Sequence, residues 1–169
     1  MSVLLKNIIR FILLILVQVC VLNNILIHQL VSPYIYMLFI LLLPLNIPRP
    51  ALQLLGLLLG LTLDMFMDTM GMHAAACVAI AYLRPFIINV LSPQGGYEVT
   101  QKTPSITSMG LSQFAIYVTI LVAIHNIIYF SIVTFGWANP LYLLLKIVLS
   151  TAVSLFLVLL YELLFFVRK

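Results

Sequence analysis

Long apolar runs follow one another along almost the whole chain, separated by short segments with proline, glycine or polar residues. Most runs approach or exceed the roughly 20 residues that an α-helix needs to cross the hydrocarbon core of a bilayer. The runs lie at 11–27, 34–46, 51–67, 73–91, 111–135 and 140–167. The pattern therefore predicts an all-α integral membrane protein with six transmembrane helices in one bundle.

The second run, 34–46, is shorter than the others because prolines bound it at Pro44, Pro48 and Pro50. A short span can extend into the neighbouring loop or cross a locally thin bilayer. Pro85 lies inside the fourth run, where we expect it to kink the helix. The polar stretch 92–110 is too long for a tight turn and too polar for lipid, so we expect a solvent-exposed loop there.

The composition excludes a water-soluble protein. Hydrophobic residues make up 64% of the chain and charged residues 7%, whereas soluble domains average about 45–50% and about 25%. Six spans use the whole length, so we expect a single membrane domain over 1–169 with no soluble catalytic or binding domain. The net charge of +4 comes from dispersed basic residues, which argues against a nucleic-acid partner.

The basic residues predict the orientation of the spans. Six spans place both termini on one side, and the short turns at 28–32 and 137–140 on the other side contain no Lys or Arg. The residues assigned to the side of the termini are Lys6, Arg10, Arg49, Lys102, Arg168 and Lys169. Because basic loops remain in the cytoplasm, we expect a multi-pass plasma-membrane protein with both termini cytoplasmic.

The third run contains a stripe of small and acidic residues. Gly56, Gly60, Asp64 and Asp68 recur every four residues and so lie on one slowly drifting helix face. The glycines allow close approach of a neighbouring helix, as in other membrane helices with this spacing. We therefore expect this face to serve in helix packing or interaction. Asp64 lies deeper than Asp68 and should be the critical carboxylate, because its charge depends more on a partner.

Depth along the helices suggests a partner for Asp64. With a rise of 1.5 Å per residue, Asp64 and His125 each lie about 20 Å from the cytoplasmic end of their helices, and Lys146 about 9 Å below the outer surface. These three residues thus fall in one layer and could form a buried polar cluster. An ion pair that packs the bundle is the commoner explanation for such residues. A proton or ion path, or a substrate pocket, is the functional alternative.

No enzyme chemistry is visible in the sequence. His28, His73 and His125 lack the spacing of metal ligands, and no glycine-rich phosphate loop is present. Asp64 and Asp68 could bind a cation or share a proton, but nothing indicates a substrate cleft. We therefore expect no catalytic, cofactor or metal site. Glu162 lies near the inner boundary, where we expect its side chain to extend to the headgroups.

Three segments together resemble a known signature. Residues 56–64 read GLLLGLTLD, 71–74 read GMHA and 81–83 read AYL. In order and spacing, over about 56–84, they resemble the family of bacterial rod shape-determining proteins MreD. The resemblance adds Gly71 and His73 to the expected interaction residues.

The resemblance implies a non-enzymatic membrane scaffold of the bacterial cell-elongation complex in the inner membrane, which maintains rod shape and lateral peptidoglycan synthesis. The implied partners are the membrane-anchored protein MreC, the wall-elongation polymerase and transpeptidase, and, directly or indirectly, the filament protein MreB.

The fold of that family is similar to the substrate-binding subunits of vitamin transporters, which supplies an alternative function. Such subunits dock their energising module through small residues on the first helix, whereas the segment 11–21 contains no alanine or glycine. A membrane-embedded enzyme is a third class, with only Asp64 and Asp68 in its favour.

Overall fold

The computed structural model describes residues 3–24, 31–92, 103–134 and 139–165. Within these ranges the chain is helical and has no strand, which confirms the all-α prediction. The helices are α1 (Val3–Cys20), α2 (Leu38–Leu41), α3 (Arg49–Met67), α4 (Met72–Leu91), α5 (Ile106–Met109), α6 (Leu111–Val133) and α7 (Pro140–Phe165).

Five helices in the described ranges, α1, α3, α4, α6 and α7, are long and apolar enough to cross a membrane. Each exposes large apolar side chains, such as Leu13 on α1, Leu58 on α3 and Phe156 on α7. Apolar surface of this extent is typical of a protein surrounded by lipid. The chain therefore has the character of a membrane protein.

Neighbouring helices pack in the order α1, α3, α4, α6 and α7. The closest pair is the hairpin of α3 and α4, which a four-residue turn connects. Pro50 lies in the first turn of α3, where its missing N–H is tolerated. Asp68 ends α3 in the left-handed conformation, with φ at 55°, and Gly71, with φ at 85°, precedes α4.

The stretch expected to form the second span does not form a long helix. We call residues 31–44 the broken segment: it is extended up to Ile35 and then makes only the single turn of α2. Prolines at 33 and 44 bound it, and it is too short for a spanning helix. Nevertheless Tyr36 to Leu43 are almost completely buried, so the broken segment forms the centre of the bundle.

The broken segment runs antiparallel to α1. Its start contacts Gln18, near the end of α1, through Pro33 and Ile35. Its end contacts Arg10, about two turns earlier in α1, through Leu42. It therefore follows α1 for about 12 Å without forming a regular helix.

The remaining boundaries differ less from the prediction. Helix α1 begins at Val3, well before the expected start at 11, and residues 25–27 of that span lie outside the described ranges. Helix α4 continues through Pro85. In the loop at 92–110, the described part includes α5, which Ser105 caps through a hydrogen bond with Ser108. Lys102, Arg168, Lys169 and the parts of the two outer turns at 28–30 and 137–138 lie outside the described residues.

Candidate functional site: a buried polar cluster around the broken segment

The start of the broken segment is held by side chains of α1 and α7. Gln18 donates from Nε2 to the carbonyl of Pro33 at 3.0 Å and accepts from the N–H of Ile35 at 2.9 Å. Ser150 accepts from the N–H of Ser32 at 3.1 Å, and Ser154 from that of Tyr34 at 2.9 Å. These bonds replace those of a helix, which allows irregular backbone to lie inside a membrane protein.

The end of the broken segment is held by side chains with hydrogen-bond donors. Arg84, fully buried in α4, donates to the carbonyls of Leu43 and Pro44 and to the hydroxyl of Tyr117. The Tyr117 hydroxyl donates to the carbonyl of Leu41 at 3.0 Å. Cations are favourable beside the free carbonyls that end a helix. This explains why a buried arginine is stable here on carbonyl and hydroxyl oxygens.

Asp64 connects the end of α3 to the start of α4. One carboxylate oxygen accepts from the Thr69 hydroxyl at 2.6 Å and from the N–H of His73 at 3.0 Å. The other accepts from the N–H of Ala74 at 2.9 Å. The carboxylate thereby satisfies N–H groups that a helix leaves unpaired at its first turn, and its negative charge is favourable there.

The two glycines of the stripe allow α3 and α4 to approach closely. A Cβ atom on Gly60 would lie 2.3 Å from the Cα of Ala74 and 2.7 Å from the carbonyl oxygen of His73. A Cβ atom on Gly56 would lie 3.0 Å from the Cβ of Ala81. The expected packing face, from Gly56 through Gly60 to Asp64, therefore faces α4.

A chain of hydrogen bonds crosses the bundle through Tyr36. The Tyr36 hydroxyl lies 2.7 Å from Nδ1 of His73 and 2.7 Å from Nε2 of His125. Nδ1 of His125 lies 3.3 Å from Oδ1 of Asn126, whose Nδ2 donates to Thr151. The chain therefore connects α4, the broken segment, α6 and α7.

Each imidazole can donate to or accept from the Tyr36 hydroxyl, depending on which ring nitrogen carries its proton. The other ring nitrogen of His125 faces Asn126. Nε2 of His73 has no hydrogen-bond partner among the described residues.

Aromatic rings surround the two histidines. Tyr129 stacks on His73 with ring centroids 4.4 Å apart, and Tyr34 meets both histidines edge-on at 5.8 Å. Phe130 packs against Tyr129 at 5.2 Å. We call the rings of Tyr34, Tyr36, His73, His125 and Tyr129 the aromatic cluster.

The structure brings together only some of the residues nominated from the sequence. Asp64 bonds to the backbone of His73, and His73 reaches His125 through Tyr36. Asp64 is not paired with Lys146, as depth along the helices had suggested, since Nζ of Lys146 lies over the Phe130 ring, 5.1 Å from its centroid. The reason is the arrangement of the helices: α7 packs mainly against α6, whereas α3 packs mainly against α4.

Asp68 and Gly71 belong to the turn between α3 and α4. Asp68 is exposed, and its backbone N–H bonds to the carbonyl of Asp64 as the helix ends. A Cβ atom added to Gly71 would meet no other atom within 4 Å, but the residue has a positive φ of 85°. Glycine adopts this conformation without strain. Both residues therefore shape the turn.

Several residues of the polar network in and around the broken segment were not identified from the sequence. They are Gln18, Tyr36, Arg84, Tyr117, Ser150 and Ser154. One signal was available, because Ser150 and Ser154 lie one turn apart on one face of a mostly apolar helix.

Glu162 is buried in the structure, in contrast to its expected extension to the headgroups. One of its oxygens accepts from the N–H of Ile106 at 3.2 Å, at the start of α5. The contact joins α7 to the loop before α6, while the other carboxylate oxygen, Oε2, has no hydrogen-bond partner among the described residues.

The described residues contain no group of three His, Cys, Asp or Glu side chains that could hold a metal ion. The arrangement instead provides the buried carboxylate of Asp64, the imidazole nitrogen Nε2 of His73 with no hydrogen-bond partner among the described residues, and several aromatic rings. Comparison with known proteins adds no relative: no protein family, no curated protein and no solved structure matches the chain.

Proposed function

We propose that this chain is a non-enzymatic scaffold subunit of the bacterial cell-elongation complex, of the kind represented by MreD. In this proposal it resides in the inner membrane and supports lateral peptidoglycan synthesis through an MreC-like protein. The wall-elongation polymerase and transpeptidase are further partners, with an MreB-like filament reached directly or indirectly.

The α3–α4 hairpin is the observation that carries the proposal. The resemblance rests on the segments 56–64, 71–74 and 81–83, and these form one tightly packed unit. Gly60 fits against the backbone of α4, Asp64 holds the first turn of α4, and Ala81 lies against Gly56. The shared spacing thus has a common physical basis, which supports treating the three segments as one signature.

The proposal includes six crossings of the membrane, five by long helices and one by the broken segment. The course of the broken segment along α1, from Gln18 to Arg10, supports this count. An even number of crossings and the distribution of basic residues support cytoplasmic termini. With the bundle occupying the whole described chain, partner contacts are made largely in or near the membrane.

Depletion of the protein in its host tests the scaffold function. We expect rod-shaped cells to become round, because lateral wall synthesis loses its membrane scaffold. Mass spectrometry of the detergent-purified protein should identify an MreC-like membrane protein. Normal rod shape after depletion, with no such protein recovered, would contradict the proposal.

A vitamin-type substrate-binding subunit of a transporter is the second candidate. The unpartnered Nε2 of His73 inside the aromatic cluster favours it, because ligand sites combine apolar walls with a few convergent polar groups. Loss of vitamin uptake with normal cell shape would support this candidate instead.

A further inference from the structure

We propose that Arg49 and the exposed face of α4 beside it bind an anionic phospholipid, whose phosphate group accepts hydrogen bonds from the Arg49 guanidinium. The inference goes beyond the scaffold function and does not depend on it. Three features carry it: an exposed guanidinium with free donors, an excess of positive charge around it, and an apolar face that continues along α4.

The guanidinium of Arg49 is exposed and lies over an aromatic ring. Arg49 begins α3, and its Cζ atom lies 5.3 Å from the ring centroid of Phe86 on α4. Among the described residues the guanidinium has no hydrogen-bond acceptor and no ion-pair partner. Contact with one ring leaves most of its five N–H donors free. Such a planar, positively charged group binds phosphate through paired hydrogen bonds.

The end of the bundle that carries Arg49 has an excess of positive charge. Arg10 and Arg84 donate to carbonyls at the end of the broken segment, and Arg49 follows that segment within a few residues. At the same end, Glu162 of α7 is buried and accepts from the N–H of Ile106. Among the described residues, three guanidiniums thus face one carboxylate. Basic sites at the ends of membrane helices attract acidic lipid headgroups.

Phe86 belongs to an exposed face that continues along α4. Tyr82, Phe86 and Val90 are 53%, 42% and 84% exposed, and their spacing of four residues places them on one side of the helix. The rings of Tyr82 and Phe86 lie 5.5 Å apart. Because a helix rises by 1.5 Å per residue, Phe86 and Tyr82 lie about 8 Å and about 14 Å from the end of α4. An acyl chain can therefore pack along this face.

The position of Arg49 relative to this face selects a lipid over a soluble phosphate. Arg49 is the first residue of a spanning helix and so lies at its end, whereas the rings of Phe86 and Tyr82 lie further inside. A phospholipid contacts both, with its phosphate at the guanidinium and an acyl chain on the rings. A soluble phosphate contacts the guanidinium alone.

Native mass spectrometry of the full-length protein in detergent tests the proposal with dioleoylphosphatidylglycerol as the probe. Matched probes are dioleoylphosphatidylcholine, which is zwitterionic, dioleoylglycerol, which lacks the phosphate, and glycerol 3-phosphate, which lacks the chains. We expect the anionic lipid to bind at least about tenfold more tightly than each matched probe, which is the scale of one charged hydrogen bond. Equal affinity for any matched probe would overturn the proposal.

Arg49→Met and Lys6→Met each remove one positive charge, and Lys6 is an exposed residue near the start of α1. We expect Arg49→Met to bind the anionic lipid at least about tenfold more weakly and Lys6→Met to have a much smaller effect. Phe86→Leu keeps an apolar side chain but removes the ring that holds the guanidinium, so its affinity should also fall. Equal effects of Arg49→Met and Lys6→Met would overturn the proposal, because attraction by any cation would then suffice.

A photocrosslink that leaves Arg49 and Phe86 in place covers the case in which these variants do not fold. The photoreactive residue p-benzoylphenylalanine replaces either Val90, on the proposed site, or Leu164, which is 53% exposed near the end of α7. In vesicles of phosphatidylglycerol and phosphatidylcholine, we expect enrichment of the anionic lipid in the crosslinks at Val90 and the bulk ratio at Leu164. The bulk ratio at both positions would overturn the proposal.

Discussion

At the scale of single residues, Gly60 has the least room for change. Its Cβ would meet backbone atoms of α4, which cannot move without separating the helices, whereas that of Gly56 would meet a methyl group and a carbonyl at 3.0 Å. We expect Gly60→Ala to lower the free energy of unfolding by about 3 kcal/mol and Gly56→Ala by about 1 kcal/mol. Reversible unfolding in mixed detergent measures both, with Leu61→Ala on the exposed face as control. The reverse order would contradict the packing of α3 on α4.

Asp64 is the second residue whose role can be tested directly. In Asp64→Asn an amide replaces one acceptor oxygen and faces a backbone or hydroxyl donor. The variant should therefore lose at least about 2 kcal/mol of stability, while Asp68→Asn, at an exposed position, should change stability little.

Because Lys146 lies over Phe130, Lys146→Met should not rescue Asp64→Asn. In a double-mutant cycle of Asp64→Asn and Lys146→Met we expect a coupling energy below about 0.5 kcal/mol. A larger coupling energy would support an ion pair between Asp64 and Lys146.

The contrast between Asp64 and Lys146 shows what sequence reasoning can reach at this scale. Depth follows from counting residues along a helix, and Asp64 and His125 do lie close to the same buried network. Which helices are neighbours depends on side-chain packing across the bundle. Helix α7 packs mainly against α6 and not against α3, so Lys146 lies over Phe130 of α6 and not beside Asp64.

At the scale of elements, the broken segment depends on a few polar side chains. Gln18→Met has nearly the same shape but leaves the carbonyl of Pro33 and the N–H of Ile35 without partners. We expect a loss of about 2–4 kcal/mol in stability and faster amide exchange at Ile35. Leu16→Met, on the exposed face of α1, is the matched control and should have little effect. An unchanged exchange rate at Ile35 would contradict the role of Gln18.

The broken segment is also the element in which the structure differs most from the helix that the sequence predicts. Its residues are as apolar as those of a spanning helix, and hydropathy does not distinguish a helix from a buried irregular strand of chain. The hydrogen bonds that make it possible come from residues far away in sequence. The long helices, by contrast, follow from run length alone, because each one satisfies its own backbone.

At the scale of the whole molecule, the direction of the bundle in the membrane can be tested by labelling. The test uses a chain in which the native Cys20 and Cys77 have been replaced. A single cysteine is then introduced at Gln101 or at Ala138, two positions outside the described residues. An impermeant reagent should label Ala138→Cys in intact cells and Gln101→Cys only after permeabilisation, because basic segments stay inside. Labelling of Gln101→Cys in intact cells would contradict cytoplasmic termini.

The serines that hold the broken segment have a consequence for biosynthesis. Ser150 and Ser154 come 118 and 120 residues after the backbone N–H groups that they accept from. The two serines are therefore absent from the ribosome-bound chain until α7 has been made. Before then, the N–H groups of Ser32 and Tyr34 would face lipid unpaired, at several kcal/mol each. We therefore expect the broken segment to remain in water or in the insertion machinery until α7 has been made, and to enter the bundle only then.

Nascent chains of defined length make this order measurable. A cysteine at Ile35 should react with a water-soluble reagent when the chain is arrested before 140, and become protected once α7 has been released into the membrane. Equal protection at both lengths would show that the bundle closes around the segment without its last helix.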